Sequence, residues 1–259
     1  MVETHIVSDQ MGRRVEVPKF PERIISLVPS QSELLYDFGL GDRVVGVTKF
    51  CGHPKAWLKT KAIIGGTKKF NFELIDELQP DLIIGNKEEN YLEGISELEK
   101  KYPVWMSDIN TIDEALEMII SIGAITGLNA QATGMKSRII TELVASTRID
   151  AKSAIYLIWK KPYMAVGQDT FINEMMGMAG FRNMINGLRY PEVSLNEIQS
   201  LSPEYVLLSS EPYPFQKKHI AEIEAILPDS KVVLVDGEIF SWYGSRMLKA
   251  NDYFKSMQR

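Results

Sequence analysis

Cys51-Gly52-His53 sets a thiol beside an imidazole, the nearest this chain comes to a nucleophile and its base. Such a pair needs a third group to orient the base, and no residue offers itself for that role. The three histidines, His5, His53 and His219, are scattered, so a zinc site built from two of them is not expected. His53 as a single axial-type ligand to a bound metal chelate stays open, beside a plain role as a polar wall residue. No G-x-S-x-G elbow occurs, so Ser26, Ser30 and Ser32 read as loop and cap residues. Gly65-Gly66-Thr67-Lys68 lacks the spacing of a phosphate-binding loop, and no G-x-G-x-x-G opens a helix. The expectation is a protein without catalytic residues, bound metal of its own, or cofactor.

What the chain does concentrate is aromatic surface in segments that follow apolar strand-like runs. The first half offers Phe50, His53 and Phe70; the second offers Trp159, Tyr163, Tyr190, Tyr213, Phe215, Trp242 and Tyr243. Lys49, Lys68, Lys87, Lys160, Arg189 and Arg246 are interspersed. Flat apolar walls with a few charges suit a large, rigid, partly apolar ligand with polar groups on its rim. The plain alternative is that these rings pack over the edges of their own lobes. The expected walls are Trp242, Tyr213 and Phe215 on one side and Phe50 and His53 on the other, with the Arg246 guanidinium beside Trp242.

The elements that must carry these loops are legible. Short β-branched runs mark strands at 23–28, 44–47, 81–84 and 104–106, and again at 154–158, 205–208 and 232–235. Ser30-Gln31-Ser32-Glu33, Thr111-Ile112-Asp113-Glu114 and Ser194-Leu195-Asn196-Glu197 have the form of capping boxes. Asn71 can cap a helix that Pro80 stops, and Thr170 opens one that Gly180 closes. Phe72 through Ile83 and Leu195 through Val206 echo each other, which points to two α/β halves of like plan. Between them a run from Asn129 to about Thr147 carries Met135, Ile139, Ile140, Leu143 and Val144 on one expected face. Such a helix spans about 28 Å and would act as a stiff strut. The fold expected is α/β, two lobes each with a central parallel β-sheet flanked by helices, bridged by one long α-helix. Its divisions are an N-terminal lobe at 1–110, a linking helical segment at 111–150 and a C-terminal lobe at 151–259. In parallel sheets ligands bind beyond the carboxyl ends of the strands, so the aromatic loops would line a cleft between the lobes.

A net charge of −5 argues against a nucleic-acid partner, since phosphate binding needs a basic surface. No apolar run approaches the length that spans a bilayer. A single cysteine excludes an internal disulfide framework. Residues 1–14 have no apolar core of a secretory signal. A chain starting natively there would be cytoplasmic.

The chain resembles the helical-backbone class of substrate-binding proteins that serve ABC importers of cobalamin, haem and ferric siderophores, most of all its cobalamin-binding branch. The likeness rests on Arg23-Ile24-Ile25-Ser26-Leu27-Val28-Pro29-Ser30 with Glu33, on Gly65-Gly66-Thr67-Lys68, and on Phe72-Glu73 through Ile84. In the second half it rests on Val166-Gly167 with Asp169-Thr170-Phe171-Ile172, on Tyr190-Pro191-Glu192-Val193-Ser194, and on Trp242-Tyr243-Gly244-Ser245-Arg246. The resemblance implies an extracytoplasmic binding protein for a metal chelate, without enzymatic activity. Its ligand residues would be drawn from Phe50, His53, Lys68, Trp159, Tyr163, Tyr190, Tyr213, Phe215, Trp242, Tyr243 and Arg246. It also implies one acidic residue per lobe that docks onto an ABC permease. Glu73 matches the first position; the second, seven residues before Pro203, is Asn196, with Glu197 beside it. Where cobalamin binders carry a wall tryptophan, this chain has Thr67 or Lys68. Two alternatives remain: an intracellular corrinoid or siderophore carrier or sensor without a permease, and an enzyme acting on such a ligand through Cys51 and His53.

Overall fold

The computed structural model describes residues 3–146 and 151–257. The chain separates into two compact units. One takes the chain up to Ile109, then Asp113–Ile139 and Tyr243–Arg246; the other takes Asn110–Ile112, Ile140–Trp242 and the chain from Met247 on.

The first unit opens with an antiparallel hairpin, β1 (Thr4–Ser8) and β2 (Arg14–Pro18). There follow β3 (Ile24–Ser26), α1 (Pro29–Asp37), β4 (Val44–Val47), α2 (Trp57–Thr60), β5 (Ala62–Ile63) and a small hairpin of β6 (Gly65–Gly66) and β7 (Lys69–Phe70). Then come α3 (Phe72–Leu78), β8 (Leu82–Asn86), α4 (Leu92–Glu99), β9 (Val104–Ser107), α5 (Ile112–Thr126) and α6 (Asn129–Ser146). The main sheet runs β5-β4-β3-β8-β9 and its strands are parallel. Ile24, Ile25, Val44, Val47, Leu82, Ile83, Ile84 and Val104 are all buried. A sheet covered on both faces asks for such continuous apolar runs rather than alternation.

The second unit holds β10 (Lys152–Trp159), β11 (Met164–Ala165), α7 (Phe171–Met178), β12 (Phe181–Asn183), α8 (Leu195–Leu201) and β13 (Tyr205–Ser209). It continues with α9 (Lys217–Glu224), β14 (Lys231–Val235), α10 (Gly237–Ser241) and, beyond a 3-10 turn, α11 (Ala250–Ser256). Its sheet runs β11-β10-β13-β14, with β12 also on β10; β12, β10, β13 and β14 are parallel and β11 is antiparallel. Its core is built on Ile155, Leu157, Ile198, Val206, Leu208 and Ile223.

Asn71 Oδ1 accepts the Leu74 amide at 3.1 Å and Thr170 accepts that of Asn173 at 3.2 Å, as the sequence predicts. Ser194 and Glu197 form their reciprocal box. The Ser30–Glu33 box does not form. Pro29 starts the helix one residue early, Val28 is the cap without a side-chain bond, and Glu33 turns into the unit's interior.

The division between units falls within α6, after Ile139. Ile139 and Leu143 are buried, but Ile140 and Val144 are 41% and 69% exposed. The apolar face is thus one row narrower than the sequence predicts: Ala132, Met135, Ile139 and Leu143 share it, and Ile140 and Val144 lie on the next row. Thr147, the expected helix end, and the expected boundary at 150 lie outside the described residues. Among the described residues no helix is long and apolar enough to cross a membrane.

Candidate functional site

The loops at the carboxyl ends of β3, β8 and β9 meet where the strand order of the first unit reverses, the usual ligand crevice of such a sheet. Here that crevice is held by the chain itself. Gln31 Nε2 donates to Ser107 Oγ at 2.7 Å and to the Gly85 carbonyl at 3.2 Å; Asn86 Nδ2 donates to the same Ser107 oxygen at 3.0 Å. Tyr243, returning from the far end of the sequence, places its phenol beside Ser30 and Ser107, where burial holds its pKa well above the ordinary range. Arg246 meets Glu33 bidentately: Nε to Oε2 at 2.7 Å and Nη2 to Oε1 at 2.9 Å, both side chains almost wholly buried. Tyr243 and Arg246, expected on a ligand wall, are therefore built into the first unit.

The loop after β4 leaves a large ring exposed on this unit. The Lys49 amide donates to the Gly65 carbonyl at 2.8 Å, which ties the loop to the β6–β7 hairpin. That hairpin needs Gly65: its φ is +109°, and a Cβ there would sit 2.3 Å from the Lys69 carbonyl oxygen. Phe50 is 52% exposed, while Phe70 packs among Phe72 and Tyr91. His53 is half-buried. The Cys51 sulfur is buried and lies 3.7 Å from the His53 carbonyl oxygen. Burial pushes the thiol pKa up, the reverse of what a nucleophile requires. Lys68 spends its amine on the carbonyls of Glu88 and Asn90, at 2.6 and 3.2 Å.

In the second unit the order reverses between β10 and β13. Trp159 ends β10, is 40% exposed, and meets Tyr213 edge-on at 5.7 Å. Tyr213 is half-buried over Phe215 and His219, at 4.7 and 5.7 Å between ring centres. Phe215 itself is buried and serves the core rather than a wall. His219 Nδ1 accepts the Gln216 amide at 2.9 Å, and burial lowers its pKa, with Lys160 and Lys218 adding to the fall. Half-buried Tyr163 has its phenol pKa raised by burial, and neighbouring Lys160 is paired with Glu222. Half-buried Tyr190 lies beneath the Arg189 guanidinium at 5.5 Å. Trp242, expected on a ligand wall, is only 6% exposed. Its Nε1 donates to Glu211 Oε1 at 2.8 Å, and Ser241 Oγ donates to the same oxygen at 2.8 Å.

Burial lifts the Glu211 carboxyl above its ordinary 4.5, with Glu238 and Asp236 adding to the rise and Ser241 and Trp242 opposing it. A carboxyl raised on folding stabilises below its unfolded pKa and loses that contribution as pH rises through the folded value. Glu211→Gln keeps an acceptor for both donors. It is expected to raise the melting temperature at neutral pH and leave it unchanged near about pH 4. A lower melting temperature at neutral pH would show that the charge itself is stabilising.

Glu73 is exposed in the first turn of α3, and Asn196 holds the same second helical position in α8, also exposed. Glu197 Oε2 accepts the Ser194 amide at 2.7 Å, which lowers the Glu197 pKa. Among the described residues no three His, Cys, Asp or Glu side chains gather where they could hold a bare metal ion.

Two α/β units on parallel sheets, with exposed rings at strand carboxyl ends, have the form of a two-unit ligand-binding protein. The family described as periplasmic binding protein matches residues 24–226, and the chain belongs to it. It is similar to YvrC of Bacillus subtilis (strain 168), an uncharacterized ABC transporter substrate-binding lipoprotein, with 28% identity over 191 residues. That match covers 68% of this chain and 60% of the relative. A vitamin B12-binding protein of Vibrio campbellii is 26% identical over 202 residues, covering 73% of this chain and 70% of its own. The structure of the periplasmic haem-binding protein RhuT from Roseiflexus sp. RS-1 superposes with a TM-score of 0.77 at 18% identity, over 91% of this chain and 97% of that one. That last likeness is one of fold.

Proposed function

We propose that the protein is an extracytoplasmic substrate-binding component of an ABC importer, and that it carries a metal-chelate ligand of the cobalamin, haem or ferric siderophore kind without altering it. The observation that carries this reading is the pair of large rings left exposed at strand carboxyl ends, Phe50 after β4 and Trp159 at the end of β10. An exposed ring at the place where such sheets take ligands is a stacking surface. Half-buried Tyr163, Tyr190 and Tyr213 in the second unit, of which Tyr213 meets Trp159, and half-buried His53, three residues after Phe50, complete the proposed set. The likeness to a vitamin B12-binding protein supports the ligand class. The test is titration with cyanocobalamin, hemin and a ferric siderophore, read by quenching of tryptophan fluorescence. Trp159→Ala and Phe50→Ala should each weaken the chelate that binds, by about tenfold for a lost stacked ring and its buried area. Unchanged affinity in both variants would remove these rims from the site.

Glu73 is the proposed docking residue for the permease. Glu73→Ala is expected to leave ligand affinity intact and to weaken capture by the permease in reconstituted vesicles. Its exposure leaves it free to reach a partner. An equal loss of ligand affinity would instead make Glu73 part of the fold or the ligand site. Asn196, neutral where a second acid is expected, favours a second reading: a carrier that works without a permease. Absence of any saturable permease binding, with ligand bound, would decide for that reading.

A further inference from the structure

Of the six basic residues interspersed among the aromatics in the sequence, five are engaged within the protein. Lys68 donates to carbonyls, Lys87 pairs with Asp108 at 2.5 Å, and Lys160 pairs with Glu222. Arg189 donates to Asn110 at 2.6 Å and to the Asp169 carbonyl at 3.0 Å, and Arg246 is locked to Glu33. Among the described residues Lys49 alone of the six gives its amine to no protein acceptor. It is exposed, and its ammonium stands 5.1 Å from the centre of the Phe50 ring.

The pair is mounted firmly. The Lys49 and Cys51 amides are bonded to Gly65 and Thr48, and the buried Cys51 side chain pins the loop from below. Phe50 rests against Gly66, where a Cβ would come within 3.2 Å of Phe50 Cε2 and 3.4 Å of Lys49 Cε. Lysine stem and ring thus share one bare glycine surface. A flat face that displaces the ammonium from above Phe50 would bring its own edge within reach of a cation with unused hydrogen-bond capacity.

We infer that Lys49 is a specificity-determining residue: it selects chelates that carry an anionic oxygen, carboxylate or phosphate, on the edge of their flat face. This rests on the proposed reading of Phe50 as part of a ligand site. A neutral amide edge would leave the ammonium with water alone, so the discrimination is between charged and neutral edges of one scaffold.

The experiment compares two matched pairs of probes, hemin with hemin dimethyl ester, and the cyanocobalamin monocarboxylic acid in which one rim amide is hydrolysed with cyanocobalamin itself. Each pair differs only in the charge on the edge of one flat scaffold. In the scaffold that binds, the anionic member should bind about tenfold tighter than the neutral one. Lys49→Gln should abolish that ratio by weakening the anionic member only, and Lys49→Arg should retain most of it. A ratio unchanged in Lys49→Gln, or a neutral member bound as tightly as the anionic one by the native protein, overturns the inference. If none of the four binds, the inference falls; the chelate reading falls with it only if a ferric siderophore also fails to bind.

Discussion

Glu33→Ala is expected to lower the stability of the first unit by about 3–5 kcal/mol, the cost of leaving one member of a buried ion pair without its partner. The Arg246 guanidinium would keep its buried place, with the bidentate bonds at 2.7 and 2.9 Å gone and little water to replace them. The loss reaches further than one contact, because Arg246 closes the segment Tyr243–Arg246 that occupies the first unit's own crevice. Urea unfolding should therefore show an earlier transition in the fluorescence of Trp57 and Trp105, the two tryptophans of this unit. Arg246→Ala in the Glu33→Ala background should cost little more, since the stranded charge is then removed. A single-variant loss below about 1 kcal/mol would mean that the pair is solvated in solution and worth no more than a surface bridge.

Trp242→Ala is expected to cost a similar amount, about 3–5 kcal/mol, in the second unit. The indole is buried, so its removal leaves a cavity, and the Glu211 carboxylate loses one of the two donors shown to hold its Oε1 atom. Trp242→Phe should recover part of the loss through volume while leaving the Glu211 bond unmade. Guanidinium denaturation of the ligand-free protein measures both. The opposite outcome, a native midpoint with ligand affinity lost, would return Trp242 to the ligand wall that its sequence context suggests.

The burial of Trp242 shows what the sequence carries and what it lacks. Strands at 44–47, 82–86 and 205–209 are legible because a sheet buried on both faces writes its burial into consecutive apolar residues. The caps at Asn71, Thr170 and Ser194 are local bonds over three residues, and their side chains form them. Ser30–Glu33 has the same local spelling, yet Glu33 goes to a residue 213 positions away. No local pattern encodes that choice. The β1–β2 hairpin, absent from the strands expected above, carries a signal of its own: Arg14-Val15-Glu16-Val17 alternates and Gly12, at φ +75°, turns the chain. Loop aromatics are harder still. Phe50, Trp159, Phe215 and Trp242 all lie at or beyond the ends of strand-like runs in the sequence, and only their packing separates exposed Phe50 and Trp159 from buried Phe215 and Trp242. The same holds for charge: Lys49 and Arg246 look alike in sequence, but one is exposed over a ring and the other is sealed against Glu33.

The claim that the protein carries a chelate rather than transforming it is tested most directly by equilibrium dialysis against cyanocobalamin, hemin and a ferric siderophore, followed by release and spectroscopy of what was bound. The account expects saturable, submicromolar, one-to-one uptake of one of these ligands, recovered with its absorption spectrum and mass unchanged. No saturable uptake of any of them, or recovery of an altered ligand, would contradict it.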